Sequence, residues 1–273
     1  SSDLFIIPRW HRSIILPNGD IYLFGGADAK NTQKKLNNCY IYDPVKLILR
    51  GIPNMKIPRS NHSVTFLKEY IYIIGGETIG EKAVADCERI NIKSKVWEQL
   101  PPMSVATKGA MVCSFQDRFI YKIGGKKDEA TLSTVIERLD INKKEWETIK
   151  YNISQELSKG GFSLLSLGSC LQINRNCIFV FGGSYPLPYE EKSAQSFILT
   201  LIQGEKEAIH RIENYDHFKL PVEDAFWNPQ PIVEGETIYC LQNVSHEKQV
   251  GAVFLDRKRI LKFEPEKGWS VLQ

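Results

Sequence analysis

The chain has 273 residues, 42% of them apolar and 25% charged, with a net charge of +3 from 35 basic and 32 acidic side chains. This is the make-up of an ordinary globular protein able to bury a large core, and charge this balanced gives no ground for nucleic-acid binding. No apolar run approaches the roughly 18–20 residues of a membrane-spanning helix, and the first residues, Ser-Ser-Asp-Leu-Phe-Ile-Ile-Pro, lack the basic and long apolar regions of a signal peptide.

Taken in chain order, the predicted elements come in repeating sets. Ser13–Leu16 reads as a short strand, followed by the turn Pro17-Asn18-Gly19-Asp20 and a second strand, Ile21-Tyr22-Leu23-Phe24, that ends in Gly25-Gly26. The pattern returns as Ser63–Leu67 before Ile71-Tyr72-Ile73-Ile74 and Gly75-Gly76. It returns again as Ala110–Phe115 before Ile120-Tyr121-Lys122-Ile123 and Gly124-Gly125, and as Ser169–Ile173 before Ile178-Phe179-Val180-Phe181 and Gly182-Gly183. The spacings are 50, 49 and 58 residues, and a fifth copy, Ile238–Gln242, has lost its glycines. Further positions repeat as well. Trp97 and Trp146 each lie 21 residues after the second glycine, Leu47 holds that offset in the first copy, and Glu88-Arg89 matches Glu137-Arg138. Each unit therefore reads as four short strands. One such sheet cannot bury both faces, whereas radial stacking buries them and leaves short, protected edges.

A strand closing in Gly-Gly with a Trp in the fourth strand resembles the kelch repeat, and the resemblance runs from about Pro8 to Trp269. The fourth unit departs from it by lacking the Trp; the fifth lacks the glycines and keeps a Trp as Trp269. The resemblance implies an all-β fold, a kelch-type β-propeller with four antiparallel strands per blade. We read residues 1–273 as a single domain of five units, about 8–56, 57–103, 104–156, 157–222 and 223–273. Six blades is the alternative, with Leu4–Ile7 as a strand of a further blade or of the ring closure.

The sequence offers no catalytic set. It contains no GxSxG elbow, P-loop, HExxH or GxGxxG motif, and no helix follows the Gly-Gly pairs to face an anion. His11 and His62 occupy similar places before a first strand and read as structural. His210, Glu213, Asp216 and His217 have no standard metal spacing. The six cysteines form no CxxC pair and read as reduced, structural residues of a cytoplasmic protein, Cys170 and Cys177 lying on neighbouring strands. We therefore expect no enzyme activity, no cofactor and no metal.

Function on such a scaffold lies in its loops. In the proteins this chain resembles, partners meet the loops after the Gly-Gly strand and those joining one unit to the next. On that basis the candidate partner-binding residues are Arg9, Trp10, Arg59, Asn61, Lys108, Lys126, Lys127, Tyr185, Tyr189 and Trp227. Matching Pro8-Arg9 with Pro58-Arg59 sets an Arg at the loop face in two units, where a guanidinium fork can engage the carboxylates of an acidic peptide. The expected role is a protein-interaction module for a protein or acidic peptide, as a substrate-recognition or cytoskeletal or ciliary scaffold domain within a larger protein or complex. Membrane and nucleic acid are not expected partners. The alternative is an enzyme, or a small-ligand or metal binder, using the central pocket of the propeller.

Overall fold

The computed structural model describes residues 7–159, 163–184, 196–203, 208–213, 231–234, 237–244, 257–264 and 267–272. They form two compact units, residues 1–149 and 150–273.

The first unit holds three four-stranded antiparallel sheets, one per sequence repeat, each with its strands in chain order. The first blade is β1 (Arg12–Ile15), β2 (Ile21–Ala27), β3 (Lys35–Asp43) and β4 (Ile48–Ile52). The second is β5 (Ser63–Leu67), β6 (Tyr70–Ile74), β7 (Cys87–Asn91) and β8 (Trp97–Leu100). The third is β9 (Met111–Phe115), β10 (Phe119–Ile123), β11 (Ile136–Asp140) and β12 (Glu145–Ile149). The second strands are buried along most of their length because both faces of each sheet are covered: Ile71, Tyr72, Ile73 and Ile74 all have exposures of 1% or less. Phe24, Ile41, Met55, Ile71, Ile73 and Ile90 form one core between the first two blades, and Tyr72, Ile74, Leu100, Ile120 and Leu139 form another between the second and third. The strands that start each blade are neighbours, β1 beside β5 and β5 beside β9.

Two tryptophans join consecutive blades. Trp97 packs on the first core, edge-on to Phe24, and its Nε1 donates to the Pro53 carbonyl at 2.8 Å. Trp146 packs on the second core and donates to the Pro101 carbonyl at 2.9 Å. Each ring thus fills space between sheets while its N–H satisfies a backbone acceptor in the preceding repeat. Leu47, at the same sequence offset, is not the counterpart. The connection after β2 is two residues longer in the first blade, since Phe24 pairs with Cys39 where Ile74 pairs with Cys87. Leu49, paired with Tyr42, therefore takes the tryptophan position, and Leu47 sits 74% exposed in a turn at φ 57°.

The second unit begins with β13 (Tyr151–Ile153) and a short helix, α1 (Gln155–Lys159). It continues with β14 (Ser169–Asn174), β15 (Cys177–Phe181), β16 (Ser196–Gln203) and β17 (Ala208–Glu213), and ends with β18 (Ile232–Glu234), β19 (Thr237–Val244), β20 (Arg257–Glu264) and β21 (Gly268–Leu272). β14–β17 form the fourth blade and β18–β21 the fifth. The segment after the third repeat is not a simple excursion: β13 pairs in parallel with β17 and covers the outer edge of the fourth blade. Ile212, fully buried, stands where the second, third and fifth blades carry Trp. Trp269 does keep the repeated role, packing on Phe179, Phe181 and Phe263 in the core of this unit.

All six cysteines are thiols. Cys170 and Cys177 lie on adjacent strands but pair with Val180 and Asn174, not with each other. Burial pushes Cys39, Cys87 and Cys240 up to about 12, which keeps them in the unreactive thiol form.

Candidate partner-binding face

The loop end of each of the first four blades is built from one repeated backbone device. The residue after Gly-Gly forms a two-way bridge to the segment leading into its own blade: Ala27 with Arg9, Glu77 with Ser60, Lys126 with Lys108, Ser184 with Ser166. In the second blade Ser60 N donates to Glu77 O at 3.0 Å and Glu77 N to Ser60 O at 2.9 Å. The glycines are required by this closeness. Gly75 has φ 60°, and a Cβ there would stand 2.5 Å from the Thr107 carbonyl; Gly76 has φ 104°, and its Cβ would stand 2.8 Å from the Ser60 carbonyl. The residue after the bridge turns the corner with positive φ in every case: Trp10 52°, Asn61 50°, Gly109 60°, Leu167 59°. In the first unit these corners chain together, Asn61 N donating to Trp10 O and Gly109 N to Asn61 O.

This register corrects the sequence match. Arg9 corresponds to Ser60 and Lys108, whereas Arg59 corresponds to Pro8 and Thr107. The step of one residue decides which way the side chain points. Arg9 is exposed. Arg59 is fully buried, with its guanidinium 3.0 Å from Glu88 and donating to the carbonyls of Gly75 and Asp86. It has no surface left with which to hold an acidic peptide and acts instead as the internal clamp of the second blade.

Lys108 is also turned inward. Its ammonium pairs with Glu77 at 2.6 Å and with Glu129. Glu77 receives further donors from Lys35 at 3.0 Å, Ser60 at 3.0 Å and Asn61 at 3.1 Å. Burial alone would raise the Glu77 carboxyl; the hydrogen bonds and charges of Lys108 and Lys35 outweigh it and hold it below the usual range. This hub joins all three blades of the first unit. Lys35 and Glu77 are not among the candidates read from the sequence. Their signal was position: each lies close after a Gly-Gly pair, where the chain still belongs to the sheet. Lys126 is buried along most of its length, whereas Lys127 is exposed.

Of the candidates, Arg9, Trp10 and Lys127 therefore remain on the surface, with Asn61 partly so. Trp10 is 47% exposed, and the Lys35 ammonium sits 5.3 Å from its ring centroid. Tyr185, Tyr189 and Trp227 lie outside the described residues. Among the described residues no three His, Cys, Asp or Glu side chains come together in a way that could hold a metal, and no helix is long and apolar enough to cross a membrane.

Residues 5–183 match the family model of the KLHDC2/KLHL20/DRC7 Kelch-repeats domain. The chain belongs to the kelch-repeat family. The kelch match ends on Gly183, so it takes in the four glycine-bearing corners and stops before the blade whose glycines are gone. Kelch relatives include Kelch-like protein 7 of Rattus norvegicus, 32% identical over 68 residues that make up 25% of this chain and 11% of the relative. The Kelch repeat and BTB domain-containing protein 2 of Horsepox virus is 32% identical over 126 residues, 40% of this chain and 22% of the relative. A putative F-box/kelch-repeat protein of Arabidopsis thaliana is 29% identical over 104 residues, 35% of this chain and 27% of the relative. The matched stretches thus span about a quarter or less of these relatives' own length. Kelch-repeat domains are in general protein-interaction domains, and their propellers in general lack enzyme activity.

Proposed function

We propose that this kelch chain is a protein-interaction module that holds a protein or peptide segment against the loop end of its first blades, with Arg9 and Trp10 as the central contacts and Lys127 further along the same loop class. One observation carries this reading: a tryptophan stands half in solvent on a corner fixed by a two-way backbone bridge and a third bond from Asn61 N at 3.1 Å. A large aromatic beside an Arg on rigid backbone is the composition of an interface hot spot, and its rigidity lowers the entropy lost on binding. The exposed Lys30 and Lys34 lie in the loop that starts after Ala27, the residue bridged to Arg9, so the surroundings of Trp10 favour an acidic segment. The five units act as a single propeller domain, in a cytoplasmic protein or complex larger than this chain, serving substrate recognition or scaffolding.

The test is affinity capture with the purified chain beside Trp10→Ala and Arg9→Ala, each checked for an unchanged melting temperature. Loss of a captured partner in both variants supports the reading. Undiminished capture by both moves the binding surface elsewhere.

A further inference from the structure

His62 follows the Asn61 corner and is fully buried, with neither ring nitrogen in a hydrogen bond. The Arg59 backbone favours the charged ring, but neither ring nitrogen reaches hydrogen-bond geometry. The charged and titratable groups around the ring come from two elements. β1 and its lead-in bring Arg12 and His11; the lead-in to β5 brings Arg59. All three are basic. Arg59 is neutralised by Glu88. Arg12 is buried, donates Nε to the His62 carbonyl at 2.7 Å, and makes no ion pair among the described residues. His11 is held by its Nδ1 contact to the Pro8 carbonyl at 2.8 Å. The carboxylate of this corner, Glu77, is already engaged by Lys35, Ser60, Asn61 and Lys108. The backbone of Gly76 packs against the Cα and Cβ of His62, leaving no space for a side chain between them. A charged imidazole here would have neither water nor an anion beside it, and burial together with Arg59, Arg12 and His11 keeps the ring neutral well below the ordinary histidine range.

The segment that carries His62 is also what fastens the corners. Asn61 N holds Trp10 O, Asn61 O receives Gly109 N at 2.7 Å, and Ser63 Oγ donates to the Ala110 carbonyl at 2.5 Å. To take a proton, the ring must reach solvent, and the segment must leave these bonds. We propose that His62 makes the seam between the first two blades open in acid, and that this opening loosens the Arg9–Trp10 face and releases a partner held there. The second half rests on the proposed binding face; the first does not. In the open form the imidazole titrates near 6.5. The closed form takes no proton there, so opening gains about tenfold for each pH unit below that value.

The seam is read by amide hydrogen exchange at Asn61 and Gly109, corrected for the intrinsic pH dependence of exchange, with Ser133, bonded to Gly125 O at 2.7 Å inside the third blade, as the control. Protection at Asn61 and Gly109 is expected to fall about tenfold between pH 6 and pH 5 in the wild type. In His62→Leu it should stay flat, as it should at Ser133 in both proteins. If His62→Leu does not fold, His62→Gln serves, since it too has no proton to take. An equal fall in wild type and variant overturns the seam opening. For release, a partner captured at pH 7.5 is washed at pH 5.5. It should leave the wild type and stay on the His62 variant, and equal behaviour of the two overturns the link to binding. Should the face itself be wrong, Trp10→Ala keeps the partner while the exchange slope stands.

Discussion

In the second blade, Glu88 is met by Arg59, which arrives from the segment leading into β5; in the third, Glu137 at the matching place on β11 is met by Lys122, from within β10. The carboxylates have the same second duty. Glu88 accepts from Lys56 N and Glu137 from Ser104 N, each binding the backbone that leads in from the blade before. Their cations differ in origin and in fit. Arg59 reaches Glu88 through Nη2 at 3.0 Å and donates Nη1 to two carbonyls. Lys122 lies 3.5 Å from Glu137 and 3.4 Å from Ser133 Oγ, and Thr107, standing where the second blade has Arg59, leaves its hydroxyl without a partner. The seam requires a buried negative charge to hold the incoming backbone and a positive charge to match it. Which segment of the blade supplies the positive charge is free to change.

The largest effect should come from breaking the better pair. Arg59→Met leaves Glu88 buried and uncompensated and should cost about 3–5 kcal/mol by denaturant titration. Arg59→Met with Glu88→Leu should recover most of that loss, because two apolar chains replace two charges. If the double variant is no better than the single, the carboxylate matters more for its bond to Lys56 N than for its charge. Next, Lys122→Ile should cost about 3 kcal/mol in the third blade, and adding Thr107→Arg should restore part of it by importing the second blade's arrangement. Failure of that rescue would show that the lead-in to β9 cannot deliver a guanidinium to Glu137.

A subtler difference is in pH. Burial pushes the Lys122 ammonium down to about 8, with Glu137 offsetting only part of the effect. The folded chain therefore releases this proton before the unfolded chain, whose lysine titrates near 10.5. Between those values the unfolded state binds more protons, so stability rises with pH. The wild type should gain stability relative to Lys122→Met from pH 8 to 10.5, seen as a widening gap in unfolding free energy. The second blade has Ile73 at this place and contributes no such slope. The smallest effect is at the turn of the first blade. Leu47→Asn should stabilise by about 0.5 kcal/mol, since Asn tolerates positive φ better than Leu and little apolar contact is lost at so exposed a position.

The blades were legible because their signals are local. Gly-Gly marks a strand end that closes on neighbouring backbone, and the Trp offset measures one strand and the connection on either side of it. Where a connection changes length that ruler slips, which is why Leu47 was read in place of Leu49. The partner face was only half legible for a similar reason. Pro8-Arg9 and Pro58-Arg59 look alike as text, but backbone pairing aligns Arg9 with Ser60, and the shift turns one Arg to solvent and the other into the blade. The repeated Glu88 and Glu137 stood at a shared offset all along. A charge repeated at a place where strands are buried is a sign of an internal clamp, and its cation could not be found because it comes from a different part of the blade each time.

The indole bonds from Trp97 to Pro53 and from Trp146 to Pro101 have a consequence for modularity. A blade excised at the boundaries of its sequence repeat keeps its tryptophan and leaves the acceptor behind in the discarded neighbour. The piece of gene that duplicates is thus out of phase with the piece of protein that closes on itself. A transplantable cassette would start upstream of the repeat, at the proline carbonyl, so that donor and acceptor travel together.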